Sequence, residues 1–499
     1  MTAQGLFSDP GPFSVNIRGA TTAATLDIAH PDNGDSLPMS IPASTVDPAQ
    51  TLAAHVCGIV LEDIPVTSLE ATRRDVLDTF GAMLGGSGAP GIKELVSLTR
   101  RWGGLEEASL VVLGGKMPAH HAALVNAAMG HALDFDDTFD KGGHIHPGTS
   151  VLAACLAIGE SLGGVTGGQL MLAVTLGLDV SCRLGLAAYD DRGWHRTATF
   201  GIFGATAAAG KLLGLTQEQM VHAFGIAYSQ AAGNRQCIID GALTKRFQAG
   251  QAAHGAVLSA FLATEGFTGA ANVFAGPYGF FPMYQPDGYD LSAIDDGLGE
   301  EFLGDQLSLK PYPCGRPTHS YIDAALKLHL ELSLGSRVIE SVVVRTDPDT
   351  FSSRYNVSSG VMRPQHQVEA QFSLPYLIGC ALALGRVGID EITAFDNQPA
   401  LAAASLVRAE RKEGVPKGWA EIEVACSGGE SSSVVLKPPS GSPDNPLTKE
   451  RLIEKFRDCA AHALKPATTA AVDNMIGLLL EPEAMADSRE LIKLSTTAE

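Results

Sequence analysis

Apolar residues recur at three- and four-residue spacing from about residue 47 to about residue 300. "DPAQTLAAHVCGIVLEDI" and "TRRDVLDTFGAMLGG" open the pattern, which predicts amphipathic helices. It continues through "AHHAALVNAAMGHALDFDDTF", "GTSVLAACLAIGESLGG", "GGQLMLAVTLGLDVSCRLGLAAY", "TATFGIFGATAAAGKLLGL" and "TQEQMVHAFGIAYSQAAG". Thr216 and Gln219 have the spacing of a capping box for the last of these. Several segments are dense in Ala and Gly and apolar nearly all round. Glycine inside a helix costs about 1 kcal/mol relative to alanine, so such helices are expected to offset it by close packing at the centre of the fold.

The period changes near residue 305. "VIESVVVRT" (338–346) alternates as a strand does, and "AEIEVACSGGESSSVVLK" (420–437) reads as a hairpin turning at Gly428 and Gly429. Helical patterns, "HSYIDAALKLHLEL" and "EAQFSLPYLIGCALALG", lie between them, and "PLTKERLIEKFRDCAAHAL" and "TAAVDNMIGLLLEPE" return to helix at the end. The reading is an α+β chain, mostly α. It has a loosely ordered tail (1–45), a helical domain (46–304), an α+β domain (305–440) and helices that complete the first domain (441–499). Residues 86–91, "GSGAPG", match a glycine-rich dinucleotide pattern but follow a helix and contain Pro90, so they do not make a nucleotide site.

Composition narrows the function. Hydrophobic residues are 45% and charged ones 18%, enough apolar material for a large core, and the net charge of −20 argues against nucleic acid and anionic membranes as partners. An anionic substrate would need a local cluster of cations. The eight cysteines carry no CxxC and mostly sit in apolar runs, which reads as buried thiols in a reducing compartment. No apolar run reads as a membrane span of about 20 residues and the start does not read as a secretory signal, so a cytoplasmic location is expected, with the mitochondrion left open.

Candidate chemistry concentrates in "LDFDDTFDKGGHIHPGTS" (133–150). A helix running through this start would put Asp134 and Thr138 on one face. His144 and His146 then lie in a loop before a helix that starts near Gly148, with Thr149 or Ser150 as its cap. His-x-His beside aspartates admits a divalent metal, but the ligand set lacks a third histidine. A solvated acidic helix end is the plain reading for Asp136, Asp137 and Asp140. The third reading is acid/base work, with a partly buried Asp134 orienting a histidine. His195, Lys245, Lys310, Arg316 and His319 stand at other helix ends and loops, where gathered cations could hold carboxylates. His254 reads as a structural histidine inside a helix, and His55, His222, His329 and His462 as surface or packing residues.

"HALDFDDTF…HIHPGTSVLAACLAIGE", "GWHRTATFGIFGATAAAGKLLGLT", "TKRFQAGQAAHG", "KPYPCGRPTHSYIDAAL" and "EAQFSLPYLIGCALALG" resemble, in order, signatures of the MmgE/PrpD family. The family includes 2-methylcitrate dehydratase, cis-aconitate decarboxylase and iminodisuccinate epimerase. The resemblance spans about 47–480. It implies a helical domain built from both ends of the chain, an inserted α+β lid, a homodimer, and a pocket that works without metal or other cofactor. By motif position the pocket residues are Asp134, Thr138, His146, His195, Lys245 and Lys310. Tyr355 lies in the region of a pocket tyrosine. Cys314-Gly315-Arg316-Pro317 departs from the decarboxylase-like "CCG" pattern, which favours dehydration of a 2-methylcitrate-like acid over decarboxylation, epimerisation or silent carboxylate binding. On this reading His195 and His146 move protons. Asp134 orients a histidine. Lys245 supplies charge, and Thr138, Lys310, Arg316 and Tyr355 bind substrate carboxylates.

Overall fold

The computed structural model describes residues 46–189, 192–352 and 362–497. Three consecutive helices, Pro147–Ser161, Gly167–Leu186 and Arg196–Leu213, are buried along nearly their whole length and form the centre. Their small residues explain how. A Cβ on Gly177 or Gly204 would strike the carbonyl oxygen of the other residue, so the backbones of Gly167–Leu186 and Arg196–Leu213 touch there. The glycine cost expected from the sequence is met by this contact. Gly167–Leu186 is long and apolar enough to cross a membrane, which corrects the sequence reading, but it lies inside the protein and holds a buried Asp179–Arg183 ion pair.

Around this centre pack Val66–Gly86, Ala119–Gly130, Gln217–Tyr228 and Thr244–Thr264. The Thr216–Gln219 capping box forms. Near the other end of the chain, Lys449–Ala461 packs on Val66–Gly86, with Phe80 and Phe456 stacked. Helical structure from both ends of the chain therefore meets. From Val46 onward the chain is one compact unit.

The strand patterns fold as Ile339–Thr346, Ala420–Cys426 and Ser431–Val435, joined by antiparallel pairing. A fourth strand, Val407–Arg411, pairs parallel to Ile339–Thr346 at the sheet edge. "EAQFSLPYLIGCALALG" is two helices, not one. Gln367–Phe372 ends at Ser373, whose side chain caps Leu374–Leu384, with Pro375 in the new first turn.

Candidate active site

The segment after Ala119–Gly130 is not helical. The helix stops at Gly130 with His131 as its C-cap, and Asp134 has φ +52°, in the left-handed region. Asp134 and Thr138 therefore do not share a helix face. The turn drives the acidic side chains inward: Asp134, Asp136 and Asp137 are buried, so the solvated-end reading fails for Asp136 and Asp137, while Asp140 is half-buried.

Each buried carboxylate has an assigned partner. Asp137 accepts the Gly148 N–H at 3.1 Å, capping Pro147–Ser161 from a distance. Thr149, read as a cap from the sequence, instead donates its hydroxyl to Asp136 at 2.9 Å. Asp136 also takes the Nδ1 proton of His131 at 2.6 Å. Asp134 accepts from Lys310 Nζ at 2.7 Å and from Lys245 Nζ at 3.2 Å. Lys245 closes the chain by lying 2.7 Å from His131 Nε2. The result is a continuous path Asp136–His131–Lys245–Asp134–Lys310.

Burial sets the charges. It opposes ionisation of Asp134, yet the Lys245 and Lys310 ammoniums hold its pKa well below the usual carboxylate range. Burial also opposes ionisation of Asp136, which His131 and His146 hold far down. Asp137 and Asp75 go the other way: burial and their acidic neighbours push both well up. Lys245 is lowered by burial against the pull of Asp134.

His146 is the N-cap residue of Pro147–Ser161, and its Nδ1 lies against the carbonyl oxygen of Asp137. A carbonyl only accepts, so Nδ1 carries the proton and Nε2, 3.9 Å from Asp134, keeps its lone pair. His195 is the N-cap residue of Arg196–Leu213. Its Nδ1 is 2.7 Å from Gln248 Oε1, and that amide is fixed by its own donation to the Asn234 carbonyl. Nδ1 is thus the donor, and Nε2 is again the lone-pair nitrogen. Burial, aided by Lys310 for His146 and by Lys245 for His195, holds both imidazoles well below their ordinary pKa and therefore neutral.

Asp134, His146, His195, Lys245 and Arg316 line one cleft, with Trp194, Arg235, Gly315 and Phe372 among its other walls. Phe372 ends Gln367–Phe372, so the mixed segment contributes a wall of the cleft. Two residues read from the sequence as substrate-binding do not line it. Lys310 is fully buried behind Asp134 and donates to that residue's carboxylate and carbonyl. Thr138 is buried too. Its backbone pairs both ways with Ser308, and its hydroxyl faces Asp140. Arg316 is tied to Asp140 at 3.1 Å, to Ser308 and to the Ser440 carbonyl, and those bonds aim the rest of its guanidinium. Tyr355 lies outside the described residues.

His131, Asp136, Gln248 and Lys455 were not singled out as site residues. His131 carries the nearest thing to a signal: a histidine at the end of an apolar helix, three residues before Asp134. Lys455 has none, because it is more than 300 positions away in sequence. Its ammonium donates to the carbonyls of Phe135 and Lys310 at 2.6 and 2.8 Å and pairs with Asp78 at 2.6 Å.

His131, Asp134, Asp136 and His146 present ligand atoms within 4.8 Å of one another. The lone pairs of Asp134 and of His131 Nε2 already face ammonium protons. A dication would have to displace two cations, so the charge balance of this group favours acid/base chemistry over metal binding.

Compared with known proteins, residues 50–291 match the MmgE/PrpD N-terminal domain and residues 312–477 the MmgE/PrpD C-terminal domain. The chain is 26% identical over 490 residues to the cis-aconitate decarboxylase-like protein oryM of Aspergillus oryzae, covering 91% of this chain and 99% of that one. A cis-aconitate decarboxylase of Aspergillus terreus is 24% identical over 473 residues, covering 89% of this chain and 95% of its own length. The cis-aconitate decarboxylase of Mus musculus is 26% identical over 475 residues, covering 89% and 92%.

Proposed function

Because the chain belongs to the MmgE/PrpD family, we propose that it is a lyase acting on a small di- or tricarboxylic acid through acid/base chemistry of its own side chains. One observation carries this reading. A single cleft holds a buried ammonium, a fixed guanidinium and two neutral imidazoles whose Nε2 lone pairs are left for a ligand. Such a floor binds carboxylates against a net charge of −20.

Decarboxylation of a cis-aconitate-like tricarboxylate is the finer reading, supported by relatives that carry that name and match along nearly their whole length. The bond to the departing carboxylate breaks and CO₂ leaves. Its electron pair forms a new C=C bond as the existing one shifts, and the far carbon takes a proton. Lys245 and Arg316 hold the retained carboxylates and steady the charge that develops on them. The incoming anion favours the imidazolium form of His195 or His146, which then delivers the proton. Asp136, through His131, fixes the position of the Lys245 ammonium, and Lys310 keeps Asp134 ionised.

Dehydration of a 2-methylcitrate-like acid is the second reading. It is favoured by the neutral state in which burial holds His195 and His146, since a base must start unprotonated, and by the Cys314-Gly315-Arg316-Pro317 sequence. Proton NMR in D₂O with cis-aconitate, citrate, 2-methylcitrate and iminodisuccinate separates the possibilities. CO₂ loss with one deuterium in a methylene product supports decarboxylation. An alkene formed without CO₂ supports dehydration, and exchange alone supports epimerisation. Inertness toward all four acids would overturn the lyase reading.

A further inference from the structure

Ala119–Gly130 and Thr244–Thr264 pack side by side. At one end of the pair lie His131 and Lys245. Toward the other lie His120 and His121, in the first turn of the first helix, and His254, in the middle of the second. His254 is nine residues beyond Lys245, about 14 Å along the helix. The three imidazoles converge: ring centroids are 4.2 Å apart for His120 and His121, 4.9 Å for His120 and His254, and 5.9 Å for His121 and His254. One ring nitrogen from each lies within 4.8 Å of the other two.

The cluster is costly without a ligand. Nδ1 of His121 and Nδ1 of His254 are buried and have no hydrogen-bond partner, and a buried polar atom left unpaired is destabilising. Facing imidazoles also cannot all become charged without repelling one another. Three imidazole nitrogens gathered this closely are instead what a borderline-soft divalent cation takes. Zinc bonded at about 2.0–2.1 Å holds its nitrogens about 3.4 Å apart, so small ring rotations close the set. Two neighbours fit the same role. Trp102 packs on His121 with centroids 5.4 Å apart and covers one side. Glu107 caps the Ala119 N–H at 3.0 Å, placing a negative charge where the positive helix end would otherwise oppose a dication.

We propose that His120, His121 and His254 form a tri-histidine site for a divalent transition metal of the zinc class, which fastens the two helices together at the end away from the cleft. The site leaves a fourth position for water and takes no part in turnover.

The test uses full-length, tag-free protein stripped with a chelator, then titrated with zinc chloride by calorimetry and followed by thermal melting. One zinc per chain is expected, with a melting point several degrees higher. Cobalt(II) in its place should give the intense visible absorption of a four-coordinate site. His254→Gln and His120→Gln should each weaken binding by about 100-fold or more, while His146→Gln, in the cleft, should leave it intact. His120 lies in the first turn of its helix, so His120→Gln decides the matter should His254→Gln fold poorly. Absence of binding below about 10 µM, binding unchanged in both triad variants, or binding lost only in His146→Gln would each overturn the proposal.

Discussion

Asp134 is the point on which the charges of the cleft turn. It is a buried carboxylate in a left-handed backbone position, held by two ammoniums of different standing: Lys245 at the cleft wall and Lys310 sealed behind it. Lys310→Met removes the nearer of the two cations and leaves the buried Asp134 carboxylate to Lys245 alone, at a cost of up to about 3–5 kcal/mol. The expected result is a large fall in urea midpoint together with lost turnover. Adding Asp134→Asn should recover much of the stability and none of the turnover, and a Lys310→Met single variant as stable as the parent protein would contradict the arrangement. The buried histidines make stability depend on pH. Burial lowers the folded-state pKa of His131, His146, His195 and His319. Below about pH 6.5 the unfolded chain takes up protons that the folded chain refuses, so this contribution is whole above that pH and is lost as pH falls. Asp75 and Asp137, raised by burial, act in the opposite sense: their contribution is whole at low pH and is lost as pH rises toward their folded values. From about pH 5.5 to 7 the histidine contribution therefore rises while the acid contribution falls, and a histidine variant isolates the first. In urea titrations His195→Gln should lower the slope of stability against pH by up to about 1.4 kcal/mol per pH unit. A slope left unchanged in His195→Gln would mean that this imidazole is charged in the folded protein.

The helices set these side chains by how closely they approach. A Cβ on Gly250 would strike the Leu124 carbonyl oxygen, so Thr244–Thr264 lies directly on the backbone of Ala119–Gly130. Gly250→Ala should therefore part the two elements that carry Lys245 and His131, costing about 1–3 kcal/mol and lowering kcat more than it raises KM. Unaltered kinetics in a folded Gly250→Ala protein would show that the cleft tolerates a shift of this pair. Much of this scaffold was legible in the sequence. The apolar period located the central helices, alternation located Ile339–Thr346 and the hairpin, and Ala/Gly density foretold close packing. Val407–Arg411 was not legible, because five residues containing two arginines and a glutamate at a sheet edge bury only Val407, too little to show an alternation. The helix end at Gly130 was missed because Leu133 and Phe135 continue the apolar spacing, while the turn is dictated by lysines from distant segments. Asp134, His146, His195 and Lys245 were named from motif position and Arg316 from its place beside Lys310, and they share a cleft. Lys310 and Thr138 were named with them, but exposure to a ligand is a property of packing and could not be read from their neighbours in sequence.

At the scale of the whole molecule, two groups of histidines are kept apart by the length of one helix pair: one stands beside Lys245 and Lys310, the other is the cluster of His120, His121 and His254. Dialysis against a strong chelator should therefore lower the melting temperature while leaving the rate at 25 °C intact. A rate lost on dialysis and restored by a divalent ion would move the metal into the cleft and sink the acid/base reading. The same large scale governs the cleft's assembly. Lys455, on Lys449–Ala461, is the residue that ties the carbonyl of Phe135 to that of Lys310 and pairs with Asp78. During synthesis, every residue that lines the cleft, from Asp134 to Phe372, leaves the ribosome well before this lysine does. A nascent chain, or a product of premature termination before Lys455, would carry all the reactive groups without the tie that sets their spacing. Such fragments should be inert, so the position of one lysine works as a safeguard: the cleft is set only once the segment that carries Lys455 has been made.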